Sequence, residues 1–191
     1  QDDPNEYFGV DVRFVGLDIP PERIAAEEER RREAFSRYYP QLPPAATISE
    51  WGTAHLPGSL LHFTRIVPPI ASLKALEEYP VPSFDEEWRR LHAAARIREC
   101  HEKGLAVGGA MATTIFEVVW QMRGMEELFL DFQLNPDFAA YLLDKVTDVR
   151  RSMARFYAAN DVDVLILGDD VSMQTGMMMS PATWRKWFKG R

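Results

Sequence analysis

The chain has 191 residues, with 22 Lys and Arg against 29 Asp and Glu, for a formal net charge of −7. That length suffices for one domain with a sizeable core, and an acidic chain without a basic stripe is a poor partner for nucleic acid. No apolar run approaches the ~18 residues of a membrane helix, the amino terminus is polar and acidic, and one cysteine, Cys100, excludes an internal disulfide framework; a cytoplasmic setting follows by elimination.

Residues 7–17 alternate well enough for a strand, with Gly9 and Gly16 as punctuation. Pro20 and Pro21 open a charged segment, Glu22 to Arg37, rich in helix formers, whose Glu/Arg run reads as a solvated helix face. Pro40, Pro43 and Pro44 close it. Residues 48–67 look like short strands joined at Pro57-Gly58, a hairpin that Pro68-Pro69 ends.

Ser72 is placed to cap a short helix through Glu78. Ser83, with Glu86 three residues on, has capping-box spacing for a helix from Phe84 to Lys103 that Gly104 stops. Residues 105–112 form a small-residue apolar run and predict a buried strand. Helical sequence follows, broken at Gly124. Asn135, Pro136 and Asp137 then mark the start of the clearest helix. Its residues Phe138, Leu142, Val146, Val149, Met153 and Phe156 step by three and four, a stripe that faces a core. Asn160-Asp161 turns the chain into a second expected buried strand, Val162 to Leu167. Two apolar strands joined through helices run parallel, because a tight turn cannot connect parallel neighbours. The fold class is therefore α/β, as a barrel or an open sheet.

In parallel α/β folds reactive groups sit past the carboxyl ends of the strands. The second strand ends in Gly168-Asp169-Asp170. Two adjacent carboxylates disfavour joint ionisation, which suits a proton donor or acceptor, a metal or a cationic substrate. The plainer alternative has one Asp capping a loop and the other meeting solvent. Glu117 stands alone in the apolar stretch TTIFEVVWQM and either lines the same pocket or lies on an exposed helix stripe. Gly108-Gly109 admits either a ligand or closely packed helix. The four histidines form no metal signature, and Cys100 beside His101 lacks a second cysteine to complete a zinc site. No phosphate-binding loop, nucleophile elbow or dinucleotide fingerprint is present.

The segment LGDDVSMQTGMMMSPATWRKWFK, Leu167 to Lys189, resembles the strand-and-helix signature of the uroporphyrinogen decarboxylase superfamily. An acidic strand end there leads through a short loop to a Ser-Pro, here Ser180-Pro181, that starts the next helix. The stretch VGGAMATTIFEVVWQMRG, Val107 to Gly124, followed by Pro136 and its long helix, is similar to the segment upstream of it in the same family. The opening EYFGVDVR and the Pro68-Pro69 region resemble divergent members.

This resemblance implies a (β/α)8 barrel of TIM type with its site at the strands' carboxyl ends. A complete barrel takes about 250 residues, so residues 1–191 are expected to be a single partial-barrel domain truncated at both ends. The resemblance implies one of two chemistries on a small-molecule substrate. One is cofactor-free tetrapyrrole decarboxylation in porphyrin biosynthesis; the other is methyl transfer between a corrinoid protein and a thiol, using zinc. Asp169 and Asp170 take the catalytic role on this reading, and Gly109, Glu117, Trp120 and Gln174 line the substrate pocket. No metal ligand or cofactor is expected within the chain itself; zinc ligands would lie beyond Arg191.

Departures from the decarboxylase pattern favour a divergent, methyltransferase-like member. The amino-terminal arginine-rich motif is lacking, Asp169-Asp170 replaces an acid followed by Ser, and Trp120 stands where a substrate-contacting Tyr is expected. A glycosidase with Glu117 and one Asp as its carboxylate pair is a further alternative, as is an inert barrel fragment with bare strand edges.

Overall fold

A computed structural model describes residues 4–58 and 64–191. The elements are, in chain order, α1 (Pro4–Tyr7), β1 (Val12–Val15), α2 (Ile24–Phe35), β2 (Thr47–Ile48), β3 (Ala54–Pro57), β4 (Thr64–Val67), α3 (Leu73–Glu77) and α4 (Glu87–Glu102). They continue with β5 (Ala106–Met111), α5 (Phe116–Arg123), α6 (Met125–Leu134), α7 (Pro136–Ala159), β6 (Val164–Leu167), β7 (Ser172–Met173), β8 (Gly176–Met177) and α8 (Pro181–Trp187). Among the described residues no helix is long and apolar enough to cross a membrane.

The organising element is a three-stranded parallel sheet in the order β1-β5-β6. Its strands pair in register Phe14–Gly108–Val164 and Val15–Gly109–Leu165 across the three positions, so each trio points to one face. The Val15 face is covered: Val15, Val107 and Met111 are buried beneath helices, and the Tyr157 ring of α7 lies over Gly109. A Cβ on Gly109 would stand 2.7 Å from Tyr157 Cγ, so this glycine is the condition for α7 docking on the sheet. Among the described residues the opposite face is open. Phe14 leans over Gly108 there but stays 59% exposed.

The exposure of β6 on both faces corrects one expectation. Val162 to Leu167 read as a buried strand, yet Val164, Leu165, Ile166 and Leu167 are all exposed. Composition places an apolar strand in a sheet, but burial also requires a neighbour on each side and a layer on each face, and β6 has one strand neighbour among the described residues.

A second, antiparallel sheet, β2-β3-β4, carries the expected hairpin, with His55 opposite Thr47 on one side and Ile66 on the other. The connection between β3 and β4, and His62 with it, falls outside the described residues. The Tyr39 hydroxyl ties this sheet together: its one proton is shared between the Gly52 (2.6 Å) and Val67 (3.0 Å) carbonyls, and its oxygen accepts from the Ala54 N–H at 3.0 Å.

Helix boundaries follow the capping signals, with two exceptions, and one expected strand is shorter. Ser72 and Ser180 cap α3 and α8 by accepting from the N–H groups of Ala75 (3.3 Å) and Thr183 (3.0 Å). Ser83 does not cap the next helix, which begins at Glu87 instead of Phe84. Phe84 adopts a left-handed φ of 56°, a turn that buries its ring against Trp51 and under Arg89. Asn135 precedes Pro136 as expected, but its amide donates to Asp131 at 2.8 Å and makes no cap to α7. The residues 7–17 contract to the four-residue β1, because residues 4–10 close a helical turn through Phe8 N–H to Pro4 carbonyl before the positive-φ Gly9.

Candidate functional site at the carboxyl edge of the parallel sheet

The carboxyl ends of β1 and β5 open into a cavity of about 420 Å³, whose walls include Phe14, Asp18, Glu50, Trp51, Met111 and Arg150. Asp18 follows β1 by the chain's own direction, and Met111 ends β5. The turn between β2 and β3 lowers Glu50 and Trp51 over this edge.

Arg150 is the pivotal side chain. It sits in the middle of α7, on the buried stripe between Val146 and Met153, and is only 7% exposed. Its Nε and Nη2 donate to the carbonyls of Thr114 (3.0 Å) and Thr113 (2.7 Å), and Nη1 to Met153 Sδ at 3.1 Å. The guanidinium lies over the Trp51 ring, 5.0 Å from its centroid. A guanidinium has five N–H donors, so three bonds leave two for another acceptor. Burial lowers its pKa to about 10, opposed by the charges of Tyr157, Asp169 and Glu50. The group is a cation throughout the physiological range. The Tyr157 hydroxyl beside it donates to the Ala110 carbonyl at 3.2 Å, and burial pushes it up to about 12.

Glu50 faces Arg89, a guanidinium only 2% exposed, which also bonds the Leu17 carbonyl and, at 3.2 Å, Glu86. Burial raises the Glu50 carboxyl above its ordinary value; attraction from Arg89 and Arg31 opposes this, and Glu86 adds to it. The Arg89–Glu50 pair thus fixes the end of β1 to the β2–β3 turn.

The expected catalytic pair has divided roles. Asp169 Oδ2 accepts from the N–H groups of Ile115 (3.0 Å) and Phe116 (2.8 Å), and Oδ1 from Glu117 at 2.9 Å. It is the cap of α5, delivered from another strand, and its charge faces the positive end of the helix dipole. Asp170 is exposed; its backbone N–H donates to Glu117 Oε2 at 3.1 Å. Burial raises the Glu117 carboxyl, the charges of Asp170 and Asp169 reinforce the rise, and the Asp170 N–H offsets part of it. The two aspartates crown the edge strand β6, whereas the inner strand is β5. Neither they nor Glu117 lines the 420 Å³ cavity.

The remaining expected residues are dispersed. Gly109 faces Tyr157 on the helix-covered side, Trp120 is partly buried against the core on α5, and Gln174 is exposed in the turn between β7 and β8. Arg150, Asp18, Glu50 and Trp51 were not singled out by sequence reasoning. Two signals for them exist: Arg150 interrupts the apolar stripe of α7, and Asp18 stands after β1 as Asp169 stands after β6. Among the described residues no three His, Cys, Asp or Glu side chains form a group able to hold a metal ion.

No family model, curated protein or solved structure matches the chain.

Proposed function

We propose that this chain is part of a (β/α)8-barrel enzyme of the uroporphyrinogen decarboxylase type, binding a carboxylate-bearing small molecule at the carboxyl edge of its parallel strands. Support for the barrel comes from winding. The strand order β1-β5-β6 follows the chain without reversal, and α4 and α7 both cover the Val15 face. A doubly wound sheet reverses its order and is covered on both faces.

The observation that carries the substrate class is Arg150. A buried guanidinium, charged at physiological pH, with two donors unclaimed, backed by Trp51 and set in a cavity partly walled by Phe14, Leu17 and Met111, suits a carboxylate attached to an apolar frame. Asp18 and Glu50 on the same cavity discriminate against ligands whose further negative charges reach that side. Asp169 is already engaged by three N–H donors, which leaves its carboxylate a helix cap beside this cavity.

Calorimetric titration of the full chain with phenylacetate and with 3-phenylpropionate, single carboxylates on apolar frames, tests the reading. At least one should bind saturably, and Arg150→Met should weaken it about tenfold or more, the cost of one charge-assisted contact. Binding of neither, or equal binding by Arg150→Met, removes the proposal.

A further inference from the structure

A second cavity, of about 220 Å³, lies between α2 and α4. It shares Glu50 and Phe84 with the carboxyl-edge cavity, so those two side chains form part of the wall between them. Three arginines border it, and two have partners within the chain. Arg30 pairs with Glu27 at 2.7 Å, and Arg89 spends its nitrogens on Glu50, Glu86 and the Leu17 carbonyl.

Arg31 differs. Its Nε is shielded from solvent without an acceptor, and among the described residues its guanidinium forms no hydrogen bond or ion pair within contact distance. Glu50 attracts it from further off. Its neighbours Glu27 and Glu28 on α2 are taken by Arg30 and Arg32. A shielded guanidinium nitrogen without an acceptor carries a desolvation cost that protein interiors rarely leave standing. The rest of the lining is Ala34, Phe35, Pro80, Val81, Pro82 and Phe84, apolar surface beside the Arg31 guanidinium, together with the Ser83 hydroxyl and the Glu86 carboxylate, which Arg89 holds.

We propose that this cavity is a binding site for a small monocarboxylate with an apolar body, the carboxylate received by Arg31 and the body packed on Phe35 and Phe84. The planar guanidinium matches a carboxylate bidentately, and the apolar walls favour such a ligand over a fully hydrated anion. The volume limits the ligand to a small molecule. Its recognition is independent of Arg150.

Amide-resolved NMR titration of the full chain with benzoate, with inorganic phosphate as comparison, tests this. Benzoate should shift the amides of Ala34, Phe35, Val81 and Ser83 saturably and phosphate should not. Arg31→Met should weaken benzoate binding about tenfold or more, with Arg31→Lys in between, since it keeps the charge and loses the fork. Arg150→Met should leave it unchanged, which separates this site from the one at the sheet edge. Absence of saturable shifts, a preference for phosphate, undiminished binding by Arg31→Met, or loss of binding in Arg150→Met would each overturn the assignment.

Discussion

Replacing Asp169 by Ala separates capping from catalysis at the acidic pair. The carboxylate accepts three backbone N–H bonds at the start of α5. Alanine leaves those donors without their partner in a partly buried setting. Loss of an N-cap costs about 0.5–2 kcal/mol, the charge at the helix amino terminus adds up to ~2 kcal/mol, and hydrogen bonds to an ionised group run at about 1.5–3 kcal/mol each without adding fully. A destabilisation of about 2–4 kcal/mol follows, since all three bonds converge on one side chain. For a chain of this length that corresponds to a fall in Tm of roughly 5–15 °C. Asp169→Asn should fall between, because its amide keeps one acceptor oxygen. Urea unfolding followed by circular dichroism measures the change, with Asp170→Ala as internal control. Asp170 is exposed and only its backbone joins the network, so that variant should stay within about 0.5 kcal/mol of the parent. Equal, small effects from the two alanine variants would refute the capping role.

Three further outcomes are expected. Gly109→Ala drives a methyl into the Tyr157 ring, 2.7 Å from Cγ, and overpacking of this kind costs about 1–3 kcal/mol; an unchanged urea midpoint would show that α7 yields freely. Glu117 has its carboxyl raised by burial, so its ionised form is disfavoured in the folded chain and its contribution to stability falls as pH rises through the folded-state value. Glu117→Gln should therefore stabilise at pH 7, the gain vanishing below the ordinary glutamate range, and a gain independent of pH would speak against this origin. The exposed apolar residues of β6 and its edge, unpaired among the described residues, should make the chain self-associate; Ile166→Lys should lower the mass measured by light scattering, and a monodisperse monomer before substitution would count against it.

How much of this was legible beforehand depends on the range of the interaction. Gly124 breaks α5 from α6 with a φ of 96°, Pro136 opens α7, and Ser180 caps α8; each is settled within a few residues of chain by steric limits or a side chain reaching its own backbone. The parallel pairing was legible too, because the lengths between apolar strands permit little else. Phe84 already lay beyond local rules: its left-handed backbone is held by burial against Trp51 and Arg89, which are distant in sequence or on another element.

Local patterning by itself determined the main helices, the inner strand β5 and its partner β6, their parallel direction, and that an acidic pair follows β6. Only tertiary structure decided what those acids do. Asp169 is turned back onto α5 by N–H groups some 52 to 54 positions away in the chain, while a guanidinium hidden in the stripe of α7 comes to stand at the cavity. Capping, periodicity and turn preferences act over one or two helical turns, so they are written in consecutive residues. A site is assembled by contacts between elements whose separation along the chain carries no comparable signal.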